Sequence, residues 1–230
     1  MFSGYIFDIE GTLVDCVPQT LASLHHTLKE WGLSVPYETL QLYSGLDGDD
    51  TLKAVCPTIA SDERKKLLEQ DGKHYEKVYL STVRAFPGVR ELFVSIKAAG
   101  GAIAIATDCK GAPLHVYRDL LDVEDLVNHI ACGDEVEKGK PDPALVRLAL
   151  EKLDLPSQRC VMIGDTPYDC EAAAAAGWQR LLDEINTECR EFAGERIEIA
   201  AAPRAICIDG EMCGGALAHL ADRPQVGRGV

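Results

Sequence analysis

Hydrophobic and polar positions along the chain follow one pattern near the start, a second through the next stretch, and a third thereafter. Residues 5–7 form a short apolar run that breaks at Asp8, with Gly11 and Thr12 marking a turn, which predicts one buried strand. After Asp15 the apolar positions recur at helical spacing. Leu21, Leu24 and Leu28 share one face, and Trp31-Gly32 supplies a stop. Helical texture continues around 37–43, 49–55 and 61–83, punctuated by Gly, Pro and Asp, with no strand pattern in between.

From Phe86-Pro87-Gly88 onward helix and strand alternate. Helices are predicted over 89–99, 112–121, 143–153 and 168–176, and strands over 102–106, 128–131, 160–163 and, more briefly, 179–182. Such βα alternation belongs to a parallel sheet covered by helices on both faces. The chain therefore reads as one α/β core, residues 1–14 and 85–230, opened after its first strand by an α-helical cap over 15–84. Beyond Leu182 the pattern gives a helix over 185–192, a strand over 204–208, a last helix over 214–220 and a loose end over 222–230.

Composition narrows the picture. Of 230 residues, 47% are hydrophobic and 26% charged, ordinary values for a globular protein, which excludes disorder and low-complexity classes. Apolar runs stay far below the roughly 20 residues of a bilayer span, and the first residues lack a basic start and a cleavage site, so a cytoplasmic protein without membrane association is expected. Lys and Arg (23) against Asp and Glu (37) give a net charge of −14, which argues against a nucleic-acid partner. An anionic substrate would need a local cation or a few placed donors. Nine cysteines without a CxxC pair read as scattered, mostly buried reduced thiols.

In an open parallel sheet, ligands bind outside the carboxyl ends of the strands. Those ends carry Asp8, Glu10, Gly11 and Thr12; then Thr107 and Asp108; then Gly164, Asp165, Thr166 and Asp169. The loop Glu137-Lys138-Gly139-Lys140-Pro141 adds two lysines before a helix. Asp8 and Asp165, brought to one sheet edge, would repel each other without a cation, and magnesium suits such oxygen ligands. Thr107, Asp108 and Lys140 are then the candidate phosphate-binding residues, supplying a hydroxyl, neighbouring N–H groups and a point charge around one tetrahedral anion. An aspartate can attack phosphorus to form an acyl phosphate, and Glu10, two residues from Asp8, is placed to protonate the leaving group and deprotonate water.

These strings, in order, carry a resemblance. Asp8-Ile9-Glu10-Gly11-Thr12-Leu13-Val14-Asp15, Thr107 after an apolar strand, Gly139-Lys140-Pro141-Asp142-Pro143 and Gly164-Asp165-Thr166-Pro167-Tyr168-Asp169 resemble the four ordered motifs of the haloacid dehalogenase superfamily. Phe86-Pro87-Gly88-Val89 and the segment from Ala172 to Gly177-Trp178 resemble connecting segments of its phosphoglycolate phosphatase-like branch, and the likeness covers about residues 4 to 180. It implies a Rossmann-like core with a helical cap, Asp8 as nucleophile and magnesium ligand, and Glu10 as acid/base with its backbone carbonyl on the metal. It also implies Thr107 and Lys140 on the phosphoryl group, Asp165 completing the metal site, and Asp169 ligating or orienting there. Most phosphatases of the superfamily have Asp where Glu10 stands. The Asp-Ile-Glu-Gly-Thr string is similar to that of enolase-phosphatases, which tolerate glutamate, whereas the dehalogenase branch lacks a carboxylate at this position and needs no metal.

The leading expectation is thus a magnesium-dependent phosphatase of a small phosphorylated metabolite, monomeric or homodimeric. A phosphomutase of the beta-phosphoglucomutase type and a non-catalytic phosphate-binding protein are the alternatives. Other polar features read as structural. His25 and His26 sit on a leucine-patterned helix, Asp47-Gly48-Asp49-Asp50 reads as a helix cap, and Lys138 as surface charge.

Overall fold

The structure, a computed structural model, describes residues 2–177 and 205–207. Five strands form one wholly parallel sheet in the order β5-β4-β1-β6-β7: β1 Gly4–Phe7, β4 Ala102–Thr107, β5 His129–Cys132, β6 Cys160–Gly164 and β7 Ala205–Cys207. The first strand of the chain therefore lies at the centre of the sheet. Phe7 sits level with Ile105 on one side and Ile163 on the other, so the residues that follow these strands emerge along one edge.

Strand alternation sorts the core into two layers of different bulk. Phe7, Ile103, Ile105, Val161 and Ile163 face the helices α5 (Val89–Ala98) and α6 (Gly111–Leu121) in a cluster rich in large side chains. Ile6, Ala104, Ala106 and Met162 face α7 (Ala144–Leu153) and α8 (Pro167–Ala175), where the partners are Val146, Ala149, Ala172 and Ala173. The small residues of this second layer allow α7 and α8 to approach the sheet closely.

Between β1 and β4 the chain builds α1 (Val17–Glu30), α2 (Tyr37–Gln41), α3 (Gly48–Val55) and α4 (Ser61–Val78). Leu24, Leu28, Leu40, Leu52 and Leu67 bury one another in a third cluster, as the helical leucine spacing leads one to expect. Asp47 caps α3 by accepting from the Asp49 N–H at 2.9 Å, which places the acidic string at a helix start. Two features depart from the sequence reading. The stretch expected as helix over 61–83 ends at Val78 and continues as a short 3-10 turn, Leu80–Thr82. A two-stranded antiparallel ribbon, β2 (Val14–Asp15) with β3 (Arg84–Ala85), closes the base of the helical insertion. Two-residue strands are too short to show a period of two, and their partners lie on opposite sides of the insertion.

Cys16, Cys56, Cys109, Cys132 and Cys160 are free thiols, but Cys170 on α8 is disulfide-bonded, a pairing that residue spacing does not reveal. The expected strand over 204–208 is β7. The expected strand over 179–182, the helices over 185–192 and 214–220, and the end over 222–230 lie outside the described residues. Among the described residues, no helix is long and apolar enough to cross a membrane.

Candidate active site

Four chain segments meet at the carboxyl edge of the sheet. Asp8 follows β1, Thr107 ends β4, Asp165 follows β6, and Lys140 enters from the loop between β5 and α7. Pairing to the neighbouring strand continues one residue beyond β1, because the Asp8 N–H donates to the Ile163 carbonyl at 2.9 Å. That bond fixes the backbone from which the Asp8 carboxylate projects.

Lys140 is the hub. Its ammonium donates to Asp8 Oδ1 at 2.5 Å, to Asp169 Oδ1 at 2.7 Å and to the Ala106 carbonyl at 3.5 Å, all buried. Burial works against the Lys140 charge, but the carboxylates of Asp169, Asp8 and Asp108 outweigh it and hold its proton affinity well above the ordinary lysine range. Asp108 secures the same residue by its backbone, since its two carboxylate oxygens accept from the Lys140 N–H at 3.1 and 3.3 Å. The carboxylate of Asp108 is thus turned to the lysine loop. A Cβ on Gly139 would stand 2.2 Å from Asp108 Oδ1, so only glycine lets that loop close on it.

Asp169 divides its work between its two oxygens. Oδ1 takes the ammonium, while Oδ2 accepts from the backbone N–H and hydroxyl of Thr166 at 3.1 and 2.7 Å, capping the start of α8. Asp165 is held from across the sheet by the Thr12 hydroxyl at 3.2 Å. Gly11 makes room for it: its φ is +81°, and a Cβ there would meet Asp165 Oδ2 at 2.2 Å. Thr107 is fully buried, and its Oγ1 accepts from the Cys109 N–H at 3.1 Å.

Asp8, Asp165 and Asp169 each present a carboxylate oxygen within 4.8 Å of the others. One ammonium contacts two of these three buried or half-buried carboxylates, Asp8 and Asp169, and the surplus of negative charge shows in the proton affinities of Asp8 and Asp165. Burial, only partly offset by Lys140, pushes Asp8 well above the carboxylate range, and burial with the neighbouring Asp169 pushes Asp165 up to about 6. An all-oxygen donor set with uncompensated charge fits a hard divalent cation. Glu10 lies beside this group, still touching solvent. Burial and the Asp108 carboxylate push it up to about 7, while Lys140 and the Tyr117 hydroxyl, 3.4 Å from Oε1, act the other way.

The structure brings Asp8, Asp108, Lys140, Asp165 and Asp169 together through shared contacts, with Glu10 and Thr107 on the same edge. Sequence reasoning missed Thr12 and the tyrosines Tyr75 and Tyr117 as partners. A signal for Tyr117 exists: it shares an apolar helical stripe with Leu114 and Leu121, where a buried hydroxyl requires a partner. Lys138 is exposed, as expected, and His26 stacks on His74 in the cap with ring centroids 4.2 Å apart.

Over 181 residues the chain is 33% identical to a phosphoglycolate phosphatase of Nitrosospira multiformis, covering 75% of this chain and 78% of that protein. It is 29% identical over 186 residues to a phosphorylated carbohydrates phosphatase of Thermotoga maritima, covering 79% and 85%. The fold matches that of a hydrolase from Pseudomonas syringae with a TM-score of 0.74 over 95% of this chain and 97% of that one, at 24% identity. The family model for haloacid dehalogenase-like hydrolases matches residues 5–182, the stretch that carries the sheet edge, its carboxylates and the inserted helices, and the chain belongs to that family.

Proposed function

We propose that the protein is a magnesium-dependent phosphatase that hydrolyses a small phosphomonoester through an aspartyl-phosphate on Asp8. The observation that carries this reading is the convergence of Asp8, Asp165 and Asp169 within 4.8 Å, with the Lys140 ammonium on two of them. Two relatives whose names are those of phosphatases of small phosphorylated molecules support the substrate class.

Asp8, Asp165 and Asp169, with the Glu10 backbone carbonyl, would hold the ion. When bound, Mg2+ supplies positive charge next to the phosphoryl oxygens and offsets the carboxylates around them. Lys140 and the Thr107 hydroxyl, with N–H groups of the loop after β4, orient the phosphoryl group. An Asp8 carboxylate oxygen forms a bond to phosphorus as the ester P–O bond breaks. The departing alkoxide takes the proton of Glu10, whose proton affinity near neutrality suits a group that both gives and takes one. Glu10 then accepts a proton from water, which attacks the aspartyl-phosphate, releases inorganic phosphate and restores the Asp8 carboxylate. Asp108, committed to the Lys140 N–H, keeps the lysine loop in register.

Phosphate release from a panel of small phosphomonoesters, sugar phosphates and an aryl phosphate, with Mg2+ and then with excess chelator, tests the reading. Release that is lost on chelation is expected. No release from any member by folded protein would overturn it, and conversion of a sugar 1-phosphate to its 6-phosphate without free phosphate would replace it with a mutase.

A further inference from the structure

A line of hydrogen-bonding groups runs from the cap helices to the acid/base residue. Tyr75 on α4 and Tyr117 on α6 place their hydroxyls 2.5 Å apart in a buried contact. The Tyr117 hydroxyl also donates to Glu10 Oε1 at 3.4 Å. A tyrosine hydroxyl has one proton and two lone pairs. With the Tyr117 proton directed at Glu10, its oxygen accepts from Tyr75, so the line has one direction, from cap to site. At 3.4 Å the last contact is long for an O–H···O bond, as contacts of proton-transfer groups often are before substrate binds.

Packing ties this line to the cap. Tyr117 is fully buried and Tyr75 nearly so, both in the cluster that contains Phe7 and Ile105 beneath the site. The same helix α4 places Leu67 in the separate cluster of the cap. One rigid helix thus spans both clusters, and a shift of the cap moves the Tyr75 hydroxyl. Glutamate at position 10 gains meaning here, because its extra methylene carries the carboxylate toward Tyr117.

We propose that Tyr117 is a positioning residue for Glu10, and that Tyr75 makes this positioning depend on where the cap helix α4 sits. The proposal deepens the phosphatase reading, on which the role of Glu10 rests. Neither tyrosine touches the phosphoryl group; both act through the rotamer of Glu10.

Four proteins form a cycle that tests it, wild type, Tyr117→Phe, Glu10→Asp and the double variant, and Tyr75→Phe is measured beside them. Removal of the Tyr117 hydroxyl is expected to lower kcat about tenfold with KM little changed, the scale of one lost hydrogen bond. Tyr75→Phe should lower kcat in the same direction. In the Glu10→Asp background, where the carboxylate no longer reaches, Tyr117→Phe should cost nothing further. A Tyr117 that only filled the core would impose the same loss in both backgrounds, and that result overturns the proposal, as does a KM effect at constant kcat. Thermal unfolding of the same four proteins reads the contact without turnover. Non-additive midpoint shifts are expected, and additive shifts would overturn the contact. If wild type releases no phosphate while the shifts remain non-additive, the phosphatase reading fails and the contact stands.

Discussion

Asp8 concentrates the chemistry of the site in one side chain, since it is buried, bonded to Lys140 and aimed from the central strand. Asp8→Asn keeps the shape of the side chain and removes the carboxylate proposed as the nucleophile. Turnover should fall by at least about a thousandfold while the unfolding midpoint stays near that of wild type, as loss of a covalent nucleophile implies. Retained turnover in the variant would refute the aspartyl-phosphate. A second carboxylate, Asp71 in the cap, makes a statement about stability. It accepts from the Ser23 hydroxyl at 2.6 Å and from Thr27 at 3.5 Å, yet burial outweighs these bonds and raises its proton affinity above the ordinary 3.8. A folded-state value above the unfolded one means that its contribution is present in full below pH 3.8 and is lost as pH rises through the folded value. Asp71→Asn keeps the acceptor for Ser23 and discards the charge, so it should raise the unfolding midpoint at neutral pH and lose that advantage as the pH approaches 4. An advantage independent of pH would show that the charge is not its cause.

The loop between β5 and α7 shows how an element holds a residue in place. Gly139 is the point where the loop closes over the Asp108 carboxylate. Gly139→Ala forces either the loop or Asp108 aside, and a destabilisation of about 1–3 kcal/mol by denaturant unfolding is expected, the range of overpacked sites. An unchanged midpoint would mean that the loop relaxes freely. At this scale the sequence was informative where a polar residue ends an apolar run. Asp8, Thr107 and Asp165 stand directly after or at the end of their strands, and Lys140 just ahead of a helix, so rules of sheet topology bring them to one edge. What escaped was pairing between distant short pieces. The Val14–Asp15 ribbon strand finds Arg84–Ala85 across the insertion, Thr12 finds Asp165, and Tyr75 finds Tyr117. The periodicity of α6 marks Tyr117 as buried but does not name its partner, and the other pairs leave no periodic trace, because each joins residues far apart in sequence that only the folded chain brings together.

For the whole molecule, a net charge of −14 surrounds a site meant for a phosphorylated anion. The long-range field repels such an anion, and attraction begins only near Lys140 and the proposed Mg2+. Raising ionic strength from about 0.01 to about 0.15 M shortens the screening length from about 30 to about 8 Å, which weakens the distant repulsion more than the buried contacts. At saturating Mg2+, kcat/KM should therefore rise over this range. A fall would show that local attraction, not the overall charge, governs the approach of substrate.

The central place of β1 has a consequence for how the protein is made. A ribosome delivers Gly4–Phe7 first, but its two neighbours in the sheet start at Ala102 and Cys160. At about 5–20 residues per second, the first strand waits about 10 to 30 s for its second partner. Throughout that interval an apolar strand has an exposed edge, and Asp8 lacks the Ile163 carbonyl that fixes it. Nascent chains arrested before residue 160 are expected to be cut readily by protease around residues 4–7, and chains arrested well beyond β6 to resist. Equal resistance in both would mean that the early segment finds shelter elsewhere. The helices of the insertion, made directly after β1, meet the opposite situation, since Leu24, Leu28, Leu40, Leu52 and Leu67 bury one another without a sheet residue and need no strand that is made later.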